Sequence, residues 1–528
     1  MTNHPSRFAF LAAVLASLVA LACTQPGASV PAGQTDPAER AIVRTAEGVL
    51  RGQRVGDAHV FRGIPYASPP VGERRWQPPH PVESWSGVRS AEAFGPACPQ
   101  PTAFSFMIPD DQPPSEDCLT LNLSVPVGAS GLPVLVMIHG GGFASGSGEY
   151  LLMAAPLLNE EDVLLVTFNY RLSALGFFAH PELEGTHGVN YGLMDMIAVL
   201  EWVNANIAAF GGDPDRVTIT GVSAGGMSVD SLMVTPETAG LFFGAIAQSG
   251  YGTWPRQPRT AGVDPIVGAP SAEGMGLALA GRAAGRPADE VTREDLYELT
   301  SEQLVEAVSG FHIPVVDGIS LPEESGILFA LGRQHAVPYI SGGTSYDGSV
   351  LSISGTTQED VLAMTAGRAD RMRALWADDF AVSDELGISR FFGDLRYVYA
   401  GWNMTRSMRR VDRPAFLYMF EYVPPENRDA LPGATHGSGF DTMWGQPDLP
   451  IAATMRDYWI NFVKTGDPNG EGLVTWPTSV GADARRWLVF GERVERKDDL
   501  RANKMAFIDE LWEARVGAMI GNGTSSRP

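Results

Sequence analysis

The sequence predicts the α/β class, with a central, mostly parallel, twisted sheet flanked by helices. Three observations predict it. Residues 133–139 (PVLVMIH) and 163–169 (VLLVTFN) are continuous apolar runs bounded by turn residues and rich in Val, Leu and Ile, as strands buried on both faces of a parallel sheet should be. Residues 194–208 carry a helical pattern, followed by the loop FGGDP (210–214) and a short strand at 217–221. Strand, helix and strand therefore alternate. Residues 258–312 are richer in Ala, Gly and charge and predict helical insertions over the sheet, where such segments shape a pocket. By length the chain could hold roughly two to four average domains. No internal repeat and no linker after residue 40 divides it, so residues 41–520 are expected to form one domain, with 521–528 a flexible tail.

With 44% hydrophobic and 19% charged residues, including 11 Trp and 24 Phe, the chain can build a large core and is not a disordered one. Its net charge of −23, without a basic cluster, argues against nucleic acid as a partner. Arg7 precedes an apolar run at residues 8–22, too short to span a bilayer comfortably and suited to a secretory signal peptide at 1–22. The run closes on Ala20, Leu21 and Ala22, and Cys23 follows. Two outcomes stay open: Cys23 becomes a lipidated N-terminus on a Pro/Gly/Ser-rich tether at 23–40, or cleavage releases a soluble protein. The other two of the three cysteines, Cys98 and Cys118, read most simply as one disulfide in an exported chain. A loop of that size is worth about 3 kcal/mol on the chain-entropy model. A metal site is the weaker reading, because no histidines stand at ligand spacing.

The strand at 217–221 runs into Gly221-Val222-Ser223-Ala224-Gly225, the one G-x-S-x-G in the chain. Small flanking residues let a serine sit on a sharp strand-to-helix turn with its hydroxyl raised toward substrate, which makes Ser223 the candidate nucleophile rather than a turn serine. A hydroxyl is a weak nucleophile, so it needs a base and donors for the oxyanion that its attack creates. His139-Gly140-Gly141-Gly142-Phe143 follows the first buried run, and consecutive glycines leave backbone N–H groups free to face a cavity. The hole is assigned to the N–H groups of Gly141, Gly142 and Ala224. Of nine histidines, His312, His335 and His436 lie downstream of the serine, and only His436 sits in a glycine-flanked loop, Gly433-Ala434-Thr435-His436-Gly437. Asp347, in Gly342-Gly343-Thr344-Ser345-Tyr346-Asp347-Gly348, follows a short apolar segment and is the candidate acid, although Asp-Gly is also a plain turn signal.

From about residue 42 to 512 the chain resembles the type-B carboxylesterases, a family of α/β-hydrolase fold that includes the cholinesterases and the para-nitrobenzyl esterases. The resemblance rests on dispersed motifs in order: Phe61-Arg62-Gly63-Ile64-Pro65-Tyr66-Ala67, Ser115-Glu116-Asp117-Cys118-Leu119-Thr120-Leu121-Asn122, HGGGF, Asn169-Tyr170-Arg171, FGGDP, the serine turn, Gln248-Ser249-Gly250 and Thr465-Gly466-Asp467-Pro468-Asn469. It implies a carboxylic-ester hydrolase working through an acyl-enzyme with no metal or organic cofactor, and a small-molecule ester as its partner. A membrane enters only through Cys23. It also implies that Asp347 is the triad acid, that Cys98 and Cys118 form the family's first disulfide, and that Arg75 with Glu116 and Arg171 with Asp195 are structural ion pairs. Relatives commonly carry Glu immediately before the serine and three residues after the histidine, where this chain has Val222 and Gly439. That removes two anions from behind the triad. The Cys98 to Cys118 loop offers Phe104 and Phe106 but no Trp, so choline esters are not indicated. Tyr251 and Trp254 are candidate acyl-pocket residues, with core packing as their other reading. The same machinery would serve amides, lactones or long-chain acylglycerols, and relatives that have lost the triad act as binding proteins. Mass analysis of the exported protein's N-terminus distinguishes the two fates of Cys23: a diacylglyceryl mass on Cys23 means a tether, and an unmodified terminus means release.

Overall fold

The computed structural model describes residues 41–102, 108, 113–183, 187–260, 270–308, 312–479 and 485–523, and Ala41–Pro528 form one compact unit. In chain order the strands are β1 (Ile42–Arg44), β2 (Val49–Arg51), β3 (Gln53–Val55), β4 (Ala58–Pro65), β5 (Val88–Ser90), β6 (Thr120–Pro126), β7 (Leu132–Ile138), β8 (Leu164–Phe168), β9 (Gly212–Val222), β10 (Gly244–Gln248), β11 (Tyr339–Thr344), β12 (Ala415–Phe420), β13 (Arg486–Phe490) and β14 (Val494–Asp498). The main sheet has 11 strands in the order β14-β13-β12-β11-β10-β9-β7-β8-β6-β4-β3, and β1, β2 and β5 make a separate 3-stranded sheet. From β8 through β7 and β9 to β13 every pairing is parallel. Antiparallel pairs close both edges.

The apolar runs become strands because both of their faces are covered. Val134, Val136 and Ile138 of β7 enter one core while Leu135 and Met137 enter the other, and β8 and β12 alternate in the same way. The helices that matter below are α1 (Tyr191–Asn206), α2 (Ala224–Leu232), α3 (Ala272–Ala284), α4 (Asp384–Gly393), α5 (Tyr399–Ser407), α6 (Ser438–Gly445), α7 (Pro450–Thr465) and α8 (Ala502–Gly523). Helices α1, α2 and α5 contribute to the first core, α6 and α7 to the second. On α7 the buried residues Met455, Trp459, Phe462 and Val463 recur at helical spacing, so a single stripe faces the sheet.

One expectation needs adjustment. The FGGDP segment is not wholly a loop, because β9 already begins at Gly212 and pairs with Leu132. Its register shifts between Leu132 and Val134, and Pro214 falls in that irregular stretch, where a missing N–H donor is tolerated. Residues 270–308 build a satellite cluster in which Leu279, Leu296 and Leu304 meet Trp76 and Phe178. Thr292 and Thr300 start its short helices through capping boxes with Asp295 and Gln303.

Cys98 and Cys118 are disulfide-bonded, with Cα atoms 5.1 Å apart. Arg75 forms its pair with Glu116 and also donates to the Leu299 carbonyl at 2.7 Å. The pair between Arg171 and Asp195 is more deeply buried: Nε and Nη2 donate to the two carboxylate oxygens at 2.8 and 2.7 Å, and the Arg171 backbone N–H adds a third bond at 3.0 Å. Removing one partner strands a buried charge, which costs about 3–5 kcal/mol. Asp195→Ala should lower the unfolding free energy by that amount in urea titration; a loss below about 1 kcal/mol would mean that the pair does not anchor β8 to α1.

Candidate active site

The carboxyl ends of β7, β9, β10, β11 and β12, consecutive in the parallel part of the sheet, carry the predicted residues, as is usual for ligand sites in α/β sheets. Ser223 lies between the end of β9 and the start of α2 with φ 59° and ψ −119°, a left-handed conformation costly for a residue with a Cβ. Hydrogen bonds pin it on both sides: its N–H donates to the Gln248 carbonyl and its carbonyl accepts from the Met227 N–H, each at 2.9 Å. A Cβ on Gly225 would lie 2.2 Å from the Ile138 carbonyl oxygen, and one on Gly140 would lie 2.7 Å from that of Val222. The serine turn and the glycine loop after β7 are thus in backbone contact.

Within that loop the carbonyl of Gly141 accepts the N–H groups of Ala144 and Ser145, each at 3.0 Å. The Gly140 carbonyl oxygen lies 2.9 Å from Nδ1 of His139. Because a trans peptide directs its N–H opposite to its C=O, the N–H groups of Gly142 and Gly141 are turned away from those contacts. Gly141 needs its missing Cβ, with φ 106° and Ser145 closely packed against it. The Gly142 carbonyl is itself held by the His312 N–H at 2.9 Å. Ala224 opens α2, where the first N–H groups of a helix have no partner within it.

Asp347 follows β11 and is 1% exposed. Its Oδ1 lies 2.8 Å from Nδ1 of His436. Ser249 Oγ donates to Oδ1 at 2.9 Å, and the Thr344 N–H donates to Oδ2 at 2.7 Å. The His436 N–H donates to Ser349 Oγ at 2.9 Å, the Tyr397 ring packs 4.5 Å from the imidazole, and Nε2 has no hydrogen-bond partner among the described residues. The structure therefore brings Asp347 and His436 together. Ser249 belongs to the Gln248-Ser249-Gly250 motif, but its bond to Asp347 depends on β10 pairing with β11, which no local sequence signal announces. Of the other histidines, His335 bonds Thr235 and Thr238, while His139 and His312 adjoin the glycine loop, where burial pushes both imidazoles down to about 4 and keeps them neutral near pH 7. Among the described residues no group of three or more His, Cys, Asp or Glu could hold a metal ion.

Tyr251 and Trp254 are buried, and their rings lie 4.4 and 4.6 Å from the guanidinium carbon of Arg396. They pack around that cation beside Tyr397, in keeping with the core-packing reading of both. Phe104 and Phe106 lie outside the described residues. Val222 packs on the second core, and a Cβ on Gly439 would lie 3.2 Å from the Phe420 ring, so the places that relatives give to two Glu residues border apolar packing. Asp441, two positions further along α6, accepts a hydrogen bond from Tyr150 Oη at 3.2 Å. Its side chain touches solvent, yet surrounding protein desolvates it enough to push its carboxyl up to about 6, against the opposing influence of Tyr150 and nearby His436.

Residues 39–380 and 376–508 match the carboxylesterase family. The chain is 31% identical to the para-nitrobenzyl esterase of Bacillus subtilis over 88% of this chain and 97% of that protein. It is also 31% identical to the fumonisin B1 esterase of Sphingopyxis macrogoltabida, over 84% and 86%, and 30% identical to liver carboxylesterase 1 of Oryctolagus cuniculus, over 95% and 97%. A solved para-nitrobenzyl esterase structure superposes with a TM-score of 0.75 at 30% identity, covering 88% of this chain and 99% of the other. The chain belongs to the carboxylesterase family, has its α/β-hydrolase fold and is a serine-dependent carboxylic-ester hydrolase.

Proposed function

We propose that Ser223 is the nucleophile of this ester hydrolase, His436 its general base, Asp347 the acid that orients the base, and the N–H groups of Gly141, Gly142 and Ala224 its oxyanion hole. The observation that carries this reading is the 2.8 Å bond from Asp347 to Nδ1 of His436, which fixes the tautomer and leaves Nε2 as the basic nitrogen. Ser223 Oγ bonds to the ester carbonyl carbon while its proton passes to Nε2, and the carbonyl electron pair moves onto the oxyanion. Collapse expels the alcohol, which takes the proton from His436. Water then attacks the acyl-enzyme, again losing a proton to Nε2, and collapse releases the carboxylic acid while His436 returns that proton to Ser223.

The substrate is a small-molecule carboxylic ester; the same groups would also open amides or lactones, since pocket shape and not the triad decides among them. Export belongs to the same proposal: the apolar run at residues 8–22 is the supporting feature, with Cys23 the point of attachment if it is lipidated. Above about pH 6 the Asp441 carboxylate is an anion near the imidazolium that forms in each transition state, and opposite charge favours that state.

Ser223→Ala should lower kcat by at least about 10⁴-fold and abolish the fluorophosphonate adduct that mass spectrometry finds on Ser223 in the unmodified protein. An adduct on another residue would overturn the assignment. For Asp441→Asn, the ratio of variant to wild-type kcat should be near one below pH 5 and fall as pH rises through about 6. A ratio that stays flat across this range would show that the Asp441 charge does not act on the reaction.

A further inference from the structure

Asp347 and His436 stand on loops that are far apart in sequence, and something must hold one against the other. Some of the bonds are local. The Ala434 N–H donates to Ser345 Oγ at 2.9 Å, and the Tyr346 N–H donates to the Ala434 carbonyl at 2.8 Å. Arg390, on α4, reaches the backbone of both loops from outside them. Its Nη1 donates to the Ser345 carbonyl and its Nη2 to the Pro432 carbonyl at 2.8 Å. Ser345 precedes Asp347 by two residues and Pro432 precedes His436 by four. The third side of the fork, Nε, donates to Asp379 at 3.1 Å, and the face of the group covers the Tyr346 ring at 4.8 Å.

The surroundings are shaped to this approach. A Cβ on Gly433 would lie 2.8 Å from Ser345 Oγ and 3.2 Å from Nη1 of Arg390. A Cβ on Gly348 would lie 1.7 Å from the Ser389 carbonyl oxygen, so α4 rests directly on the acid loop. Arg501 supplies a second bond to the Ser345 carbonyl at 2.9 Å, but nothing from it is seen to reach the base loop. A planar guanidinium holds two carbonyls at once in a fixed geometry, which a lysine ammonium on a flexible stem cannot reproduce.

We propose that Arg390 is a positioning residue for ester hydrolysis: by clamping the Ser345 and Pro432 carbonyls together it fixes the alignment of Asp347 with His436. The proposal rests on the triad reading above. Arg390 touches neither substrate nor reacting atoms, so its effect falls on kcat and not on substrate binding. A misplacement of about 1 Å transmitted to a catalytic group can cost on the order of 10²-fold.

The test is a double-mutant cycle on an activated aryl ester, combining Arg390→Lys and Arg390→Met with Asp347→Asn, and with folding checked by circular dichroism and thermal unfolding. In the otherwise native chain each Arg390 variant should lower kcat about 10- to 100-fold with KM within about threefold. In the Asp347→Asn background the further loss should shrink to less than about threefold, because the alignment that Arg390 protects is already without effect. Arg390→Lys, which keeps the charge and most of the volume, carries the test if Arg390→Met does not fold. Equal fold losses in both backgrounds, an unchanged kcat, or a change confined to KM would each overturn the proposal. Failure of the triad reading looks different: Asp347→Asn alone would then keep wild-type turnover.

Discussion

The contact on which the site depends is the close backbone approach between the carboxyl ends of β7 and β9. Gly225 meets the Ile138 carbonyl and Gly140 meets that of Val222 at separations that leave no room for a Cβ. This approach requires β7 and β9 to be neighbours, which the parallel order of the sheet supplies. It joins the turn that carries Ser223 to the glycine loop after β7, so the proposed nucleophile and the proposed oxyanion donors are held by one backbone contact. Donors already oriented before the reaction need no reorganisation as charge develops, and this preorganisation is usually the largest electrostatic contribution to catalysis. The left-handed backbone at Ser223 is tolerable because hydrogen bonds on both sides and the packed core beneath hold it there.

The other half of the site is assembled differently. β10, β11 and β12 each deliver one group: Ser249, then Asp347, then the loop with His436. Ser249 holds Asp347, Asp347 holds His436, and Arg390 of α4 bonds both loops. These are hydrogen bonds between loops and not close approaches between strand ends, so their geometry depends on side chains that lie outside the sheet. A site of this kind has one half set by backbone packing and another half set by a chain of polar contacts.

That division explains how far the sequence could be read. The buried strands were legible because an apolar run enclosed by turn residues has few other solutions, and the sharp turn at Ser223 because glycines at two fixed offsets record a backbone collision. His436 was legible from its glycine-rich loop, and Asp347 from a strand end together with the family resemblance. Arg390 was not, because its partners Ser345 and Pro432 offer only carbonyl oxygens, and a backbone acceptor leaves no mark on residue type. For Tyr251 and Trp254 the sequence left pocket lining and core packing open, and nothing near them announces Arg396, the buried cation they surround. The early start of β9 was hidden by Pro214, whose presence argues against a central strand unless a register shift accommodates it.

The distribution of carboxylates around His436 has a physical logic. A glutamate at position 222 or 439 would have to sit beside the second core or against Phe420, and a buried carboxylate that loses its partner costs several kcal/mol. Losing both together avoids that penalty and fills the space with Val222 and the Phe420 ring. Asp441 then keeps one negative charge within electrostatic reach of the imidazole, from a position where the carboxylate touches water and Tyr150 donates to it. Because desolvation raises its carboxyl to about 6, the charge that Asp441 presents to His436 is switched by protons near that pH and is not constant across the neutral range.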